Sequence, residues 1–268
     1  MSTKIQYIRN ATMKINYGGK TFLTDPMLAS KGAYTGFLYR DQLVNPTAPL
    51  PMSIDEIMDG VDCILVSHSH IPADGKGGPS DHFDATAIKE IDKSMPIYIQ
   101  ACDAEGVRAV GFNNVHEIED SITVDNIKIT RFDGLHTDIE DFLPMVGDVS
   151  GFVFEADGYP TILWTGDTII TNEVLATIEK YTPDIIITHS GGAQMPIDAE
   201  GNVVKLVMDA DDTIKIAQLV PKSKIVSIHM EALDHCPITR QELSEKSKIA
   251  GIPKDRLFIP DDGEEISL

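Results

Sequence analysis

Twice along the chain, a run of short apolar strands gives way to strands alternating with helices. This doubled order limits the available folds more than any other feature of the sequence. The first run reads Lys4–Arg9, Thr12–Tyr17 and Lys20–Thr24, punctuated by Asn10 and by the hairpin signal Gly18-Gly19. Residues 27–52 carry scattered Gly and Pro, end in NPTAPLP and read as a long functional flap. From Val61 the pattern becomes strand, loop and helix. Asp84 is placed to cap a helix over Ala85–Ile91, Pro96–Gln100 reads as a strand, and Asp103 is placed to cap Ala104–Val110, with Gly111 as the stop. The second run reads Ser121–Val124, Lys128–Phe132, Gly151–Glu155 and Thr161–Trp164. A helix over Asn172–Lys180, a strand Asp184–Thr188, a helix capped by Asp209 and running to Leu219, and a strand Lys224–Ile228 follow. Thr239-Arg-Gln-Glu242 reads as a capping box opening a last helix that stops near Gly251. Two mixed sheets packed face to face, with helices outside both, would bury all of these strands. The expectation is one α/β (α+β) domain over residues 1–268, a four-layer αββα sandwich.

The chain's 268 residues, 42% of them hydrophobic, suffice for such a core. Its net charge of −20 repels phosphate backbones and anionic membrane surfaces, so neither nucleic acid nor a membrane is expected as a partner. No run approaches the roughly 18 apolar residues of a membrane span, and MSTKIQYIRN does not read as a signal peptide. Cys63, Cys102 and Cys236 form no obvious disulfide framework, which points to a reducing cytoplasm.

Unusual polar residues stand where apolar strands end. His68 and His70 follow CILV, Asp167 follows TILWTG, His189 follows DIIIT, His229 follows KIVSI, and His136 follows the strand around Ile129. A single strand-terminal His is best read as solvated, but several such ends gathered along one edge describe a ligand site. In an extended segment residues i and i+2 share a side, so His68 and His70 could reach one cation, at imidazole distances of about 2.0–2.1 Å for zinc. A third His would leave one position open for water. Asp167, with Gly166 before it to admit a close backbone, is the carboxylate suited to lie between two cations.

Taken in order, FLTDP, SHSH…DHFD, GLH, TGDT and SIHMEALDH resemble the metallo-β-lactamase superfamily of dinuclear hydrolases over most of the chain. Among its branches the sequence is most similar to the group containing L-ascorbate-6-phosphate lactonase and metal-dependent hydrolases at large. The resemblance implies that His68, His70 and His136 hold one metal, that Asp81, His82 and His229 hold a second, and that Asp167 bridges. It implies two divalent ions, zinc first, with manganese or iron as alternatives. Asp25 would then orient a ligand, or is a plain turn residue. Asp84 reads as a helix cap.

The chain departs from the family at the first motif. One residue separates His-x-His from Asp-His in the family pattern, whereas ten, Ile71 to Ser80, intervene here. Lengthening a loop tenfold costs about 2 kcal/mol, and zinc binding is worth roughly 10–16 kcal/mol, so one site with an inserted loop is expected. Asp74 is a rival ligand, but no His follows it. Gly75, Gly77, Gly78 and Pro79 would ease the excursion, and Lys76 on it could meet an anionic group if the loop is a lid.

The chemistry expected is hydrolysis of a small-molecule ester, a lactone first, with Asp81, Asp167 and His235 as catalytic candidates. His235 could touch substrate or donate a proton, and it and His189 could equally be solvated loop residues. His116 reads as structural and Cys236 as a bystander thiol. A phosphodiesterase on the same fold, a di-iron redox protein and an inactive binding module stay open. So does self-association of the chain.

Overall fold

The structure, a computed structural model, describes residues 3–38, 44–76, 80–198 and 201–268. The first half contributes β1 (Lys4–Arg9), β2 (Thr12–Tyr17), β3 (Lys20–Thr24), β4 (Tyr34–Thr35), β5 (Val44–Asn45), α1 (Ile54–Met58), β6 (Cys63–Val66), α2 (Ala85–Glu90), β7 (Ile97–Gln100), α3 (Ala104–Ala109) and β8 (Val115–Ile118). The second contributes β9 (Ser121–Val124), β10 (Ile127–Asp133), α4 (Leu143–Val146), β11 (Ser150–Glu155), β12 (Ile162–Trp164), α5 (Asn172–Tyr181), β13 (Ile185–His189), β14 (Gln194–Pro196), β15 (Val203–Lys205), α6 (Ala210–Leu219), β16 (Lys224–Ile228), α7 (Arg240–Ile249) and β17 (Leu257–Phe258). The last strand, β18 (Glu265–Ser267), returns to the first sheet.

Both sheets are seven-stranded and mixed, ordered β18-β1-β2-β3-β6-β7-β8 and β17-β16-β13-β12-β11-β10-β9. In each, antiparallel hairpins lead into parallel strands: β3, β6, β7 and β8 run parallel in the first, and β12, β13, β16 and β17 in the second. The parallel strands are apolar on both faces, as CILV and IIITH show, because each is covered on two sides. One core lies between the sheets and joins Ile5, Met13, Phe22 and Leu65 to Phe152, Phe154, Trp164 and Ile187. A second packs α1 to α3 on the outside of the first sheet, and a third packs α5 to α7 on the outside of the other. The four αββα layers expected from the sequence are thus present. No helix among the described residues is long and apolar enough to cross a membrane.

The first three strands fall where the sequence places them. Asp84 caps α2 as expected, accepting from Ala87 N at 2.7 Å. At α7 only half of the expected box forms: Thr239 Oγ1 accepts from Glu242 N. Asp103 does not cap α3 with its side chain. Its Oδ2 accepts instead from Ser69 N at 2.7 Å and Gln100 Nε2 at 2.9 Å, bracing the loop that carries His68 and His70. The sequence reading also passed over α1, although Ser53-Ile-Asp-Glu56 forms a reciprocal capping box there.

The described part of the inserted loop, residues 71–76, is seated on α3. Ile71 is buried in the core beneath α3, and Gly106 lets the loop backbone lie on that helix, since a Cβ there would stand 2.0 Å from Ile71 O. Lys76 is exposed, and its ammonium lies 3.9 Å from its neighbour Asp74. Gly77, Gly78 and Pro79 lie outside the described residues.

Candidate metal centre

The polar residues at the strand ends converge on the rim where the two sheets meet. His68 and His70 leave β6, His136 leaves β10, Asp167 follows β12, and His229 follows β16. Two groups result, His68, His70 and His136 in one and Asp81, His82, Asp167 and His229 in the other, each with its possible ligand atoms within 4.8 Å of one another. The groups adjoin: the His68 ring lies 4.1 Å from that of His82 and 5.1 Å from that of His136.

The route by which His68 and His70 meet differs from the expected one. The segment after β6 is not extended, because His70 has φ +52°, and its ring meets that of His68 edge-on at 4.7 Å. His229 (φ +64°) and Asp25 (φ +35°) also occupy the left-handed region. Non-glycine residues hold such backbones where the surroundings over-determine them, commonly at functional sites. At His229 part of that constraint is visible, since its N–H donates to Asn10 O at 2.9 Å.

Asp25, buried to 0% exposure, accepts from Ser67 N at 2.7 Å and Ser67 Oγ at 2.6 Å, and its Oδ2 lies 2.6 Å from His82 Nδ1. It therefore fixes His82 with Nε2 turned inward. Ser67 Oγ lies 2.9 Å from His68 Nδ1, His136 Nδ1 donates to Leu206 O at 3.3 Å, and His229 Nδ1 lies 3.5 Å from Cys236 Sγ. Cys236 is thus a partner of His229 rather than a bystander. In this arrangement one ring nitrogen is tied to the protein while the other faces the cluster, which suits imidazoles that hold a metal. The test of fit is electronic: His136 Nε2 and His229 Nε2 are buried and make no hydrogen bond. Lone pairs left so are costly in a folded protein unless a cation takes them. The donor set of neutral imidazole and carboxylate suits zinc, manganese or iron.

Asp167 Oδ2 lies 3.1 Å from His82 Nε2, and its Oδ1 lies 3.5 Å from His229 Nε2. Asp81 Oδ2 lies 3.4 Å from His82 Nε2 and 3.5 Å from His229 Nε2, while Asn10 Nδ2 donates to Asp81 O at 3.1 Å. Burial alone would raise both carboxyls, but the imidazoles of His82 and His229 hold Asp81 and Asp167 well below the usual range. Burial opposes charging of His82 too, yet Asp167, Asp81 and Asp25 raise it well above its ordinary value. His68 is lowered well below its ordinary value by burial and by its neighbouring imidazoles, and His136 falls to about 4, chiefly through burial. One group thus pairs the Asp81 and Asp167 carboxylates with the imidazoles of His82 and His229, both raised well above their ordinary value by those carboxylates. The other offers imidazoles kept neutral by burial. A cation entering the first would displace the imidazole protons.

A cavity of about 250 Å³ opens beside the groups and is lined by His68, His70, Asp81, His136 and Asp167 on one side. The rest of the lining is mostly apolar, including Phe37, Met145, Val146, Met195, Leu206 and Val207, with no Lys or Arg among the described lining residues. No residue of the described insertion is in the lining. His235 also lines the cavity, 8% exposed, edge-on to Phe37 at 5.1 Å, with a buried Nδ1 that makes no hydrogen bond. Burial lowers its pKa. The flap around Phe37 is held by Asp234, whose carboxylate accepts from Phe37 N at 2.8 Å, Leu38 N at 3.0 Å and Asn45 Nδ2 at 2.8 Å. His116 lies in neither group. It stacks on Tyr98 and bonds Asn114. His189 is not a solvated loop residue: it is fully buried and bonded to Asp167. Its place at the end of an apolar strand was the sequence signal; its partner Trp164 carried none.

Comparison with known proteins agrees with this architecture. The family described as Beta-lactamase superfamily domain matches residues 20–230. The chain is 36% identical to the UPF0173 protein YddR of Bacillus subtilis over 97% of this chain and 98% of that one. A solved structure of a possible metal-dependent hydrolase from Veillonella parvula superposes with TM-score 0.91 at 32% identity, covering both chains completely. That of an isothiocyanate hydrolase from Delia radicum gut bacteria superposes with TM-score 0.87 at 34% identity over 98% of each chain. With the strand order, the converging histidines and these relatives in agreement, the chain belongs to the beta-lactamase superfamily and is a metal-dependent hydrolase of the metallo-β-lactamase fold, of the UPF0173 kind.

Proposed function

We propose that the protein hydrolyses a small uncharged electrophile bearing an apolar arm, an isothiocyanate first, at a centre of two divalent ions, zinc before manganese or iron. The observation that carries this is the wall of the cavity: apolar from Phe37 to Val207, without a cationic side chain among the described residues. Such a wall rewards burial of an aryl or alkyl arm at about 0.8 kcal/mol per CH₂ and offers nothing to a phosphate. A phosphorylated substrate and the phosphodiester left open by the sequence are therefore disfavoured. The volume of about 250 Å³ limits the substrate to a small molecule. Resemblance to the isothiocyanate hydrolase supplies the reacting group.

In this reading His68, His70 and His136 would hold one ion, Asp81, His82 and His229 the other, and Asp167 would serve both. Ions so held would supply ionised water at neutral pH and polarise the bond under attack. The apolar wall seats the arm and keeps other water out. For R–N=C=S, water adds its oxygen to the central carbon, the C–N bond breaks, and both protons pass to nitrogen, giving R–NH₂ and O=C=S. His235, which also lines the cavity, passes to that nitrogen a proton that its neutral ring first takes from the attacking water. A lactone with an apolar chain is the second reading. The same wall fits it, and the same proton from His235 would meet the leaving alkoxide.

Metal-loaded protein should be assayed with an alkyl and an aryl isothiocyanate, an alkyl γ-lactone and a phosphodiester, each with and without chelator. Chelator-sensitive turnover of an isothiocyanate, or second of the lactone, is expected. Turnover of the phosphodiester alone overturns the proposal.

A further inference from the structure

His189 ends β13 with its ring fully buried, next to the rings of His229 at 5.0 Å and His82 at 6.0 Å. It nevertheless falls outside both ligand groups. Trp164 Nε1 lies 2.8 Å from His189 Nε2. An indole N–H can only donate, so Nε2 must accept. An imidazolium has no acceptor nitrogen, so the ring is neutral and its one proton sits on Nδ1. That Nδ1–H donates to Asp167 Oδ1. With Nε2 taken by the indole and Nδ1 carrying the proton, His189 has no lone pair to offer a cation.

Two neighbouring parallel strands set up this chain of bonds. Trp164 closes β12 opposite Ile187 of β13, which places His189 two residues further along and Asp167 just beyond the end of β12. Asp167 Oδ2 already has a partner in His82 Nε2 at 3.1 Å, and His189 adds a donor to the other oxygen. The donor from His189 fixes the plane of the carboxylate and leaves Oδ2 turned to His82.

We propose that His189 is a positioning residue: Trp164 sets its tautomer, His189 sets the orientation of Asp167, and metal retention depends on a side chain that ligates no metal. The reading rests on the proposed ligand set through Asp167 alone.

The test titrates metal-free protein with zinc against a competing chromophoric chelator, so no turnover is needed. His189→Leu fills the space without donating, and should weaken zinc binding about 10–100-fold. His189→Asn puts an amide N–H near the place of Nδ1 and should stay within a few-fold of the parent. His189→Gln, whose amide lies one bond further out, should behave like the Leu variant. Nitrogen-15 NMR of the unmutated protein, before and after zinc, gives a readout that no folding defect can obscure. It should show a protonated Nδ1 and a bare Nε2 on His189 in both states. Zinc held by His189→Leu as tightly as by the parent, equal losses in the Asn and Leu variants, or a proton on Nε2 would each overturn the proposal. Failure of the unmutated chain to bind zinc would overturn the ligand set itself, and this reading with it; a failure confined to the variants concerns His189 alone.

Discussion

Gly166 offers a sharp test of how the fold aims Asp167. The residue has φ +64°, and a Cβ built on it would stand 2.3 Å from Ser150 O, against 3.4–4 Å for an ordinary contact. Gly166→Ala therefore carries two separable costs. The left-handed backbone costs an L-residue about 1–2 kcal/mol. The clash is with a backbone atom of β11, which cannot swing aside, so the turn after β12 must retreat by roughly 1 Å, at an overpacking cost of about 1–3 kcal/mol. Asp167 is the next residue and moves with the turn. A misplacement of that size costs about 100-fold in rate. Gly19→Ala is the matched control: φ is +87°, but nothing lies within 4 Å of its Cβ, so only the backbone cost applies. Urea unfolding of the metal-free variants should show Gly166→Ala destabilised by about 2–5 kcal/mol, and Gly19→Ala by about 1–2 kcal/mol. In kcat/KM, Gly166→Ala should fall about 100-fold while Gly19→Ala stays near the parent. If the two variants match in both stability and turnover, the close approach to Ser150 does not set the position of Asp167.

Other outcomes follow from the same geometry. Asp25→Asn keeps the shape and tolerates the left-handed backbone, but replaces one acceptor with an NH2 donor facing Ser67 N–H or the His82 ring. It should lose about 1.5–3 kcal/mol of stability and hold zinc about 10–100-fold more weakly, measured by chelator competition. Because Lys76 is exposed and absent from the cavity lining, Lys76→Ala should leave KM within about twofold of the parent, and a large rise would restore the lid. Burial pushes the Cys63 thiol up to about 12. A folded value above the unfolded one means that this stability is full below about pH 8.5 and is lost as pH rises towards 12. Urea midpoints from pH 9 upwards should therefore fall less steeply in Cys63→Ala, by up to about 1.4 kcal/mol per pH unit, and parallel slopes would contradict the assignment.

Much of the fold could be read from the sequence because strand period and turn chemistry are local. Gly18-Gly19 and Asp84 act on their own neighbours, and the elements around them form where expected. Asp103 shows the limit. Its position before a helix was legible, but the competing donors, Ser69 N and Gln100 Nε2, come from tertiary packing. The residues of the centre were legible as polar interruptions of apolar strands, and the structure gathers them on one rim. What holds them was not: Asn10, Ser67 and Trp164 look like ordinary core or turn residues until their partners are in place. The insertion stayed ambiguous for a related reason. Its exit beside His70 implied the mouth of the site, whereas the missing Cβ of Gly106 gives it a seat on α3.

Neither group of candidate ligands belongs to one sheet. His68 and His70 come from the first sheet and His136 from the second; Asp81 and His82 come from the first, Asp167 and His229 from the second. Each ion held as proposed would therefore act as a rivet through the seam, tying together chain segments far apart in sequence, much as a cross-link does. The two halves would then share a fate: with the rivets in, neither sheet can peel away without breaking metal–ligand bonds. With them drawn, the halves are joined by the apolar core between the sheets and the connecting chain. Scarcity of metal would then do more than stop turnover. It would leave the seam to the apolar core alone, so cellular metal supply would bear on how long the chain survives as well as how fast it works.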